Sequence, residues 1–136
     1  MKELVLEAKL ENLNKVLAFI DEQLEELNCS MKSQMQIDIA VEELFVNIAH
    51  YAYAPNVGKA TIRTEFDDNP PCIHITFIDQ GVYYNPLEKA DPDVTLSAEE
   101  RQVGGLGIFM VKKSMDNMQY RYENKKNILT ISKQLR

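Results

Sequence analysis

The sequence contains few cysteines and no long apolar stretch. Its two cysteines, Cys29 and Cys72, lie far apart and have neither metal-ligand nor CxxC spacing. We therefore expect free thiols in a reducing compartment. No run approaches the roughly 20 apolar residues of a transmembrane helix, and residues 1–10 lack the continuous apolar stretch of a signal peptide. These absences predict a cytoplasmic protein that does not enter a membrane.

The chain is also poor in positive charge. It has 15 Lys and Arg against 21 Asp and Glu, for a formal net charge of −6. Because no basic stripe offsets this balance, we expect no direct contact with nucleic acid. A phosphate ligand would need a local device such as backbone amides or a metal ion. With 136 residues, 45% of them hydrophobic, we expect one domain spanning residues 1–136.

Hydrophobic periodicity in the first part of the chain predicts one strand and two helices. The second helix would start with Ser33 and Gln36 at capping-box spacing. The predicted elements are an edge strand over residues 3–8, a helix from the N-cap Asn12 to about Asn28 and a helix that ends near Ala54, before Pro55.

The second part of the chain alternates in the manner of strands. Residues 59–66 and 72–79 predict a hairpin through "DDNPP", and residues 118–123 and 128–135 predict a closing hairpin through "NKKN". A glycine-rich turn after residue 103 opens one more helix. The pattern predicts an α/β (α+β) two-layer sandwich, with a mixed, mostly antiparallel sheet covered on one face by helices.

Residues 82–103 show little periodicity, many charges and two prolines, Pro86 and Pro92. A long irregular segment inside a compact domain is usually functional or mobile. After it, Gly104, Gly105 and Gly107 precede a helix, where backbone N–H groups and the positive helix end favour phosphate. An ordinary tight loop would explain these glycines equally well.

Two common phosphate motifs are excluded by residue type. A dinucleotide-binding fingerprint beginning at Gly105 would need a third glycine where Met110 stands. A Walker motif ending at Gly58-Lys59 would need a hydroxyl residue where Ala60 stands. A phosphate site at these glycines would therefore belong to another class.

Asp79 closes an apolar strand and is followed two residues later by Gly81. The pair could simply begin a turn. Alternatively, the carboxylate could accept a hydrogen bond from an exocyclic amine such as that of adenine, with Gly81 letting the base approach.

The helical stretch "VEELFVNIAHYAY" places two polar side chains beside its own core face. Glu43 and Asn47 lie one turn apart at the border of the stripe formed by Val41, Leu44 and Ile48. A solvated Glu–Asn pair is one interpretation. The other is functional, because an amide oxygen can coordinate Mg²⁺ and a neighbouring glutamate can deprotonate a nucleophile.

Three short motifs occur in a defined order: Glu43-x-x-x-Asn47, Asp79-x-Gly81 and Gly105-x-Gly107. Together they resemble the Bergerat ATP-binding fold of gyrase, Hsp90, histidine kinases and MutL. The compact length and the "ER…GGLGI" approach to the last motif are most similar to the bacterial anti-sigma-factor serine kinases. The resemblance covers nearly the whole chain.

The resemblance implies ATP and Mg²⁺ as ligands and a residue role at each motif. Asn47 would be the Mg²⁺ ligand and Glu43 the catalytic base or the carboxylate that orients it. Asp79, with Gly81 beside it, would be the adenine-binding carboxylate. Residues 82–104 would form an ATP lid. The other ATP-binding residues that it implies are Arg101, Gly104, Gly105, Leu106 and Gly107.

The resemblance further implies a serine/threonine protein kinase that acts as an anti-sigma factor. Its partners would be a sigma factor and an anti-anti-sigma (STAS-type) protein, and members commonly form homodimers. Two departures bear on kinase competence: Tyr51 stands where the family often has a histidine, and the lid lacks a Thr-Thr-Lys type stretch. An ATP-binding interaction module with little or no kinase activity, or a histidine-kinase catalytic domain, are the alternatives.

Overall fold

The computed structural model describes residues 1–88 and 105–136. Five strands form one sheet in the order β1-β2-β3-β5-β4, and each of these neighbouring pairs is antiparallel. The elements are β1 (Lys2–Glu7), α1 (Leu13–Glu26), α2 (Met31–Asn47), β2 (Lys59–Asp68), β3 (Pro71–Asp79), α3 (Gly105–Ser114), β4 (Asn117–Glu123) and β5 (Lys126–Gln134). The predicted α/β two-layer fold is confirmed, but the sheet, expected to be mixed, is antiparallel at all four pairings of the described strands.

The core lies between the helices and one face of the sheet. Strand register places Ile62 opposite Phe77 and Ile75 opposite Ile131, so their side chains share that face. All four are buried, and each helix adds its own apolar stripe. The buried helical side chains are Val16, Ile20, Leu24, Ile37, Ala40, Val41, Leu44, Phe45, Ile108 and Val111.

Both predicted helix starts need correction. Asn12 precedes α1, but its side chain does not cap the helix, because Nδ2 donates a hydrogen bond to the carbonyl of Glu7 at 2.8 Å. The second helix is capped by Ser30 rather than Ser33. Ser30 has the extended backbone that an N-cap requires, and its Oγ accepts a hydrogen bond from the Ser33 N–H at 3.1 Å.

The final hairpin is tighter than predicted. Its turn consists of Asn124 and Lys125 alone, with φ of 52° and 61°. Two consecutive positive φ values are typical of a type I′ hairpin turn. Lys126 and Asn127 therefore belong to β5, and this register places Asn127 directly opposite Asp79 of β3.

The face of the sheet away from the core is more polar. There the ring of His74 bridges Asp67 and Ser132, with both nitrogen–oxygen distances at 2.7 Å. Thr76 and Thr130 share a hydrogen bond beside it at 2.9 Å. Among the residues that the structure describes, no helix is long and apolar enough to cross a membrane.

Candidate functional site

Helix α2 ends in a widened turn. Asn47 is its last residue, and Ile48–Ala52 continue directly as a π-helical turn. Such turns are rare and frequently occur at functional sites. Here the turn lies beside the end of β3, because the N–H of Val82 donates to the carbonyl of Ala52 at 2.9 Å.

Between this turn and the sheet lies a cavity of about 390 Å³, within the size range of small-molecule sites. Two predicted site residues, Asn47 and Asp79, line it together. Most of the wall is apolar or aromatic. The other lining residues are Leu44, Ile48, Tyr51, Ala52, Phe77, Val82, Tyr83, Tyr84, Pro86, Ile108, Tyr120, Asn127 and Leu129.

Asp79 is the buried carboxylate of this cavity, with 6% of its surface exposed. Its Oδ1 accepts hydrogen bonds from the Gly81 N–H at 2.9 Å and from Asn127 Nδ2 at 3.0 Å. Its Oδ2 accepts none from residues 1–88 or 105–136. Burial raises the pKa of Asp79, and the two hydrogen bonds only partly offset that rise. The arrangement leaves one carboxylate oxygen for a ligand.

Gly81 is required by close packing of the backbone. A β-carbon at this position would overlap the carbonyl group of Ala52 and come within 2.6 Å of its Cβ. The missing side chain therefore lets the chain after Asp79 pass against the π-helical turn. The approach of a base beside Gly81, which the sequence suggested, stays a prediction.

Tyr53 supports the chain that follows Asp79, and no sequence motif singled it out. Its hydroxyl donates to the Lys59 carbonyl at 2.6 Å and accepts from the Gln80 N–H at 2.7 Å. Its ring packs on Gly58, where a β-carbon would overlap it. One side chain thus joins the π-helical turn, the start of β2 and the residue that follows Asp79.

Asn127 is a second residue that sequence reasoning missed, because it was assigned to the hairpin connection. It is 6% exposed and lies next to Asp79 on the cavity wall. Its Nδ2 donates to Asp79 Oδ1 at 3.0 Å and to the Val82 carbonyl at 2.9 Å. Its Oδ1 accepts from the Tyr84 N–H at 3.1 Å and from the Tyr120 hydroxyl.

Three tyrosines pack together at the cavity, and two of them, Tyr83 and Tyr120, line it. The ring of Tyr83 meets Tyr120 edge to face at 5.9 Å and Tyr122 at 5.2 Å. The Tyr83 hydroxyl donates to Glu88 at 2.6 Å. Burial, followed by the neighbouring Tyr83, raises the pKa of Tyr120 to about 12, so its hydroxyl stays protonated and can donate to Asn127.

Glu43 and Asn47 share one edge of α2 but face different neighbours. Asn47 lines the cavity, and its amide makes no hydrogen bond to any part of the chain that is described. Glu43 does not line the cavity. Its carboxylate lies against the first turn of α3, where a β-carbon at Gly107 would overlap it. Burial, and then the charge of Glu42, raises the pKa of Glu43.

The remaining predicted residues are only partly covered. Gly105 begins α3, and the backbone of Leu106 belongs to the same helix. Arg101 and Gly104 lie outside the described residues, as do residues 89–104 of the predicted lid. The lid residues 82–88 are described, and Val82, Tyr83, Tyr84 and Pro86 line the cavity.

The donor set fits ATP and a weakly protein-bound Mg²⁺. Within the described parts of the chain, no three His, Cys, Asp or Glu side chains form a metal cluster. Mg²⁺ does not need one, because it usually keeps several waters and binds one or two protein oxygens together with substrate phosphates. The unbonded amide of Asn47 is such an oxygen donor.

Comparison with known proteins agrees with this geometry. The family described as "Histidine kinase-like ATPase domain" matches residues 6–133. Over 95 residues, the chain is 28% identical to the serine-protein kinase RsbW of Bacillus thuringiensis (strain Al Hakam) and to that of Bacillus anthracis. Each alignment covers 67% of this chain and 58% of the relative, so the chain spans little more than half the length of these relatives.

A solved structure shares the fold. The crystal structure of the RsbU and RsbW domains of a Mycobacterium tuberculosis protein superposes with a TM-score of 0.64 at 16% sequence identity. The superposition covers 99% of this chain and 33% of that one. At this identity the likeness supports the fold rather than the activity.

Proposed function

The chain belongs to the histidine kinase-like ATPase domain family, and from this premise we propose that it binds ATP with Mg²⁺ in the cavity between α2 and the sheet. One observation carries the proposal. The buried Asp79 keeps Oδ2 free of described partners, in the same apolar cavity that Asn47 lines with an unbonded amide. An amine-bearing base would fit the first group, and a phosphate-bound cation would fit the second.

Each predicted residue then has a role in the proposed site. Asp79 accepts a hydrogen bond from the adenine amine, with Gly81 shaping the loop beside it. Asn47 holds the Mg²⁺, which would neutralise phosphate charge when bound. The first turn of α3 presents backbone N–H groups to phosphate. The phosphate-contacting residues that we propose are Arg101, Gly104, Gly105, Leu106 and Gly107, with residues 82–104 as the lid of a single domain over residues 1–136.

We further propose serine/threonine protein kinase activity in a cytoplasmic anti-sigma factor. The relatives are named serine-protein kinases, which supports transfer to a serine. The protein would phosphorylate an anti-anti-sigma (STAS-type) partner, sequester a sigma factor and act as a homodimer without touching nucleic acid. Glu43 would accept the proton of the serine hydroxyl, and its raised pKa brings it closer to the range useful for a general base.

A second candidate is an ATP-binding anti-sigma module with little or no transfer. One observation favours it: the carboxylate of Glu43 packs against Gly107 and does not line the cavity. A kinase would then require Glu43 to turn toward the phosphates when substrate binds. In a module without transfer activity, Glu43 would keep its contact with Gly107.

Calorimetry with ATP and ADP, with and without Mg²⁺, tests the binding proposal. We expect Mg²⁺-dependent binding by the wild type and its loss in Asn47→Ala. Asp79→Asn should weaken binding of both nucleotides irrespective of Mg²⁺, because it replaces the acceptor for the amine. Absence of nucleotide binding by the folded wild type would contradict the proposed site.

Phosphorylation of an anti-anti-sigma protein separates the two candidates. Glu43→Gln should abolish transfer while leaving ATP binding intact if the protein is a kinase. Glu42→Gln is the matched control, because Glu42 is the adjacent exposed carboxylate on α2; it should retain transfer, although loss of its charge lowers the pKa of Glu43. Wild-type protein that binds ATP and the partners but transfers no phosphate would establish the module instead.

A further inference from the structure

We infer that Asn127 is the positioning residue that fixes which oxygen of Asp79 meets the base, and thereby sets a preference for purines with an amine rather than a carbonyl at the six position. The inference rests on the proposed nucleotide site. It concerns a residue of β5 that none of the three sequence motifs includes.

The amide of Asn127 uses its entire hydrogen-bonding capacity. A carboxamide has two N–H donors and two acceptor lone pairs. Both donors are used, by Asp79 Oδ1 at 3.0 Å and the Val82 carbonyl at 2.9 Å. Both acceptor sites are used, by the Tyr84 N–H at 3.1 Å and the Tyr120 hydroxyl.

These partners also fix the orientation of the amide. A flipped amide would place its oxygen against Asp79 Oδ1 and the Val82 carbonyl, so two acceptor pairs would face each other. Its NH₂ group would meet the Tyr84 N–H, a second donor. Because the site is buried, each mismatch would leave an unsatisfied polar group at a cost of about 1–3 kcal/mol. One orientation is therefore strongly preferred.

The fixed orientation of the Asn127 amide determines which oxygen of Asp79 is free. The Gly81 N–H and Asn127 occupy Oδ1 together, so Oδ2 is the oxygen left for a ligand. An exocyclic amine donates to that oxygen. A carbonyl at the same place would bring two acceptors together in a site that is 6% exposed, which is the kind of mismatch that gives large discrimination.

Asn127 also favours the charged form of Asp79. Burial raises the pKa of this carboxyl, and the hydrogen bond from Asn127 is the first of the two interactions that lower it. Without that donor, a larger fraction of Asp79 would be protonated near neutral pH. A protonated carboxyl can donate to a carbonyl, so the preference for an amine would weaken.

The test uses ATP and inosine triphosphate, which differ in the amine and carbonyl at this position. Asn127→Asp has the same shape and still offers an oxygen to the Tyr84 N–H and the Tyr120 hydroxyl. It replaces the donor that faces Asp79 with a second oxygen. Thr130→Val is the control, because it removes a side-chain hydrogen bond of β5 on the face of the sheet away from the cavity.

The full chain is titrated with both nucleotides by calorimetry over about pH 6 to 8. We expect the wild type to prefer ATP by about 100-fold or more. Asn127→Asp should lower that ratio at least ten-fold, and most strongly toward about pH 6, because two adjacent carboxyls share a proton that Asp79 can then donate to a carbonyl. Thr130→Val should keep the wild-type ratio and pH profile.

Three results would overturn the role of Asn127. The first is a wild type that prefers ATP over inosine triphosphate by less than about three-fold. This result can be obtained without any variant. A second is a folded Asn127→Asp that is less stable yet keeps the wild-type ratio and pH profile, since a merely structural role predicts that outcome. A wild type that binds neither nucleotide would overturn the proposed function as well, so the two failures are distinguishable.

Discussion

The carboxylate of Glu43 lies directly against Gly107, the third residue of α3, with no room for a β-carbon between them. The proposed base is therefore held by the same helix turn that we expect to bind phosphate. The positive end of α3 favours its charged form, while burial and Glu42 favour the neutral one. The pKa is raised, so burial and the neighbouring charge dominate.

This contact predicts a selective effect of Gly107→Ala. The added methyl group must displace the end of the Glu43 side chain, which is flexible, so the cost in stability should stay below about 1 kcal/mol. Phosphoryl transfer, measured with an anti-anti-sigma substrate, should fall about ten-fold or more because Glu43 is moved. An unchanged transfer rate in a folded variant would show that the position of Glu43 does not matter.

Gly81→Ala should behave in the opposite way. Here the added methyl group would meet the backbone carbonyl of Ala52, which cannot move aside as a side chain does. We expect a loss of about 1–3 kcal/mol in the free energy of unfolding, measured in urea, with weaker ATP binding. A variant as stable as Gly107→Ala would contradict the packing described for this loop.

Tyr53→Phe should loosen the loop that carries Asp79. The hydroxyl links the Lys59 carbonyl and the Gln80 N–H, and both lose their partner in the variant. We expect a destabilisation of about 1 kcal/mol and a modest loss of ATP affinity. Tyr122→Phe is a suitable control, because its ring contact with Tyr83 does not depend on a hydroxyl. Equal effects of the two substitutions would contradict a stabilising role for the Tyr53 hydroxyl.

A carboxyl pair between α1 and α2 should make stability depend on pH. Burial, then the hydrogen bond and charge of Asp21, raises the pKa of Asp38 to about 7 from 3.8. One Asp38 oxygen is buried without a described partner. Because the pKa of Asp38 is higher in the folded state than in the unfolded state, its neutral carboxyl contributes to the free energy of unfolding. This contribution is complete below about pH 4 and is lost as pH rises through about 7.

Asp38→Asn should remove that pH dependence. Its melting temperature, relative to the wild type, should increase between about pH 5 and pH 8, because the wild type must hold an unfavourable charge at the higher pH. Asp21→Asn should act in the same direction. Glu22→Gln, an exposed neighbour on α1, should not. A constant difference across this range would mean that Asp38 ionises normally.

The sequence predicted the fold and two polar residues of the cavity, Asn47 and Asp79, for a simple physical reason. Asn47 lies on an amphipathic helix and Asp79 closes an apolar strand, and periodicity marks both elements clearly, so their approach follows from a helix lying on a sheet. Asn127 and Tyr53 were missed because their importance depends on strand register and on a close packing contact. Register at Asn127 is set by the two-residue turn of Asn124 and Lys125, whose second residue is atypical for positive φ.

The sequence also could not predict which neighbour the Glu43 carboxylate contacts. Helical spacing places it beside Asn47, but only the position of α3 decides which neighbour its carboxylate meets. Local periodicity describes one helix at a time, whereas this contact joins two helices that are about 60 residues apart along the chain. The N-cap of α2 was assigned to Ser33 for a simpler reason. Ser30 and Ser33 both offer a hydroxyl, and only the backbone geometry shows that Ser30 is the cap.

The placement of β1 has a consequence for the order in which the molecule assembles. The β2–β3 and β4–β5 hairpins join residues that are close in the chain, whereas Lys2 of β1 pairs with Thr64 of β2 across both α1 and α2. Local hairpins form within microseconds, but a distant pairing must first close a long loop. The N-terminal strand is thus expected to dock late, onto a sheet edge that the two helices have already brought within reach, and its amide hydrogens should be among the first of the sheet to exchange with solvent.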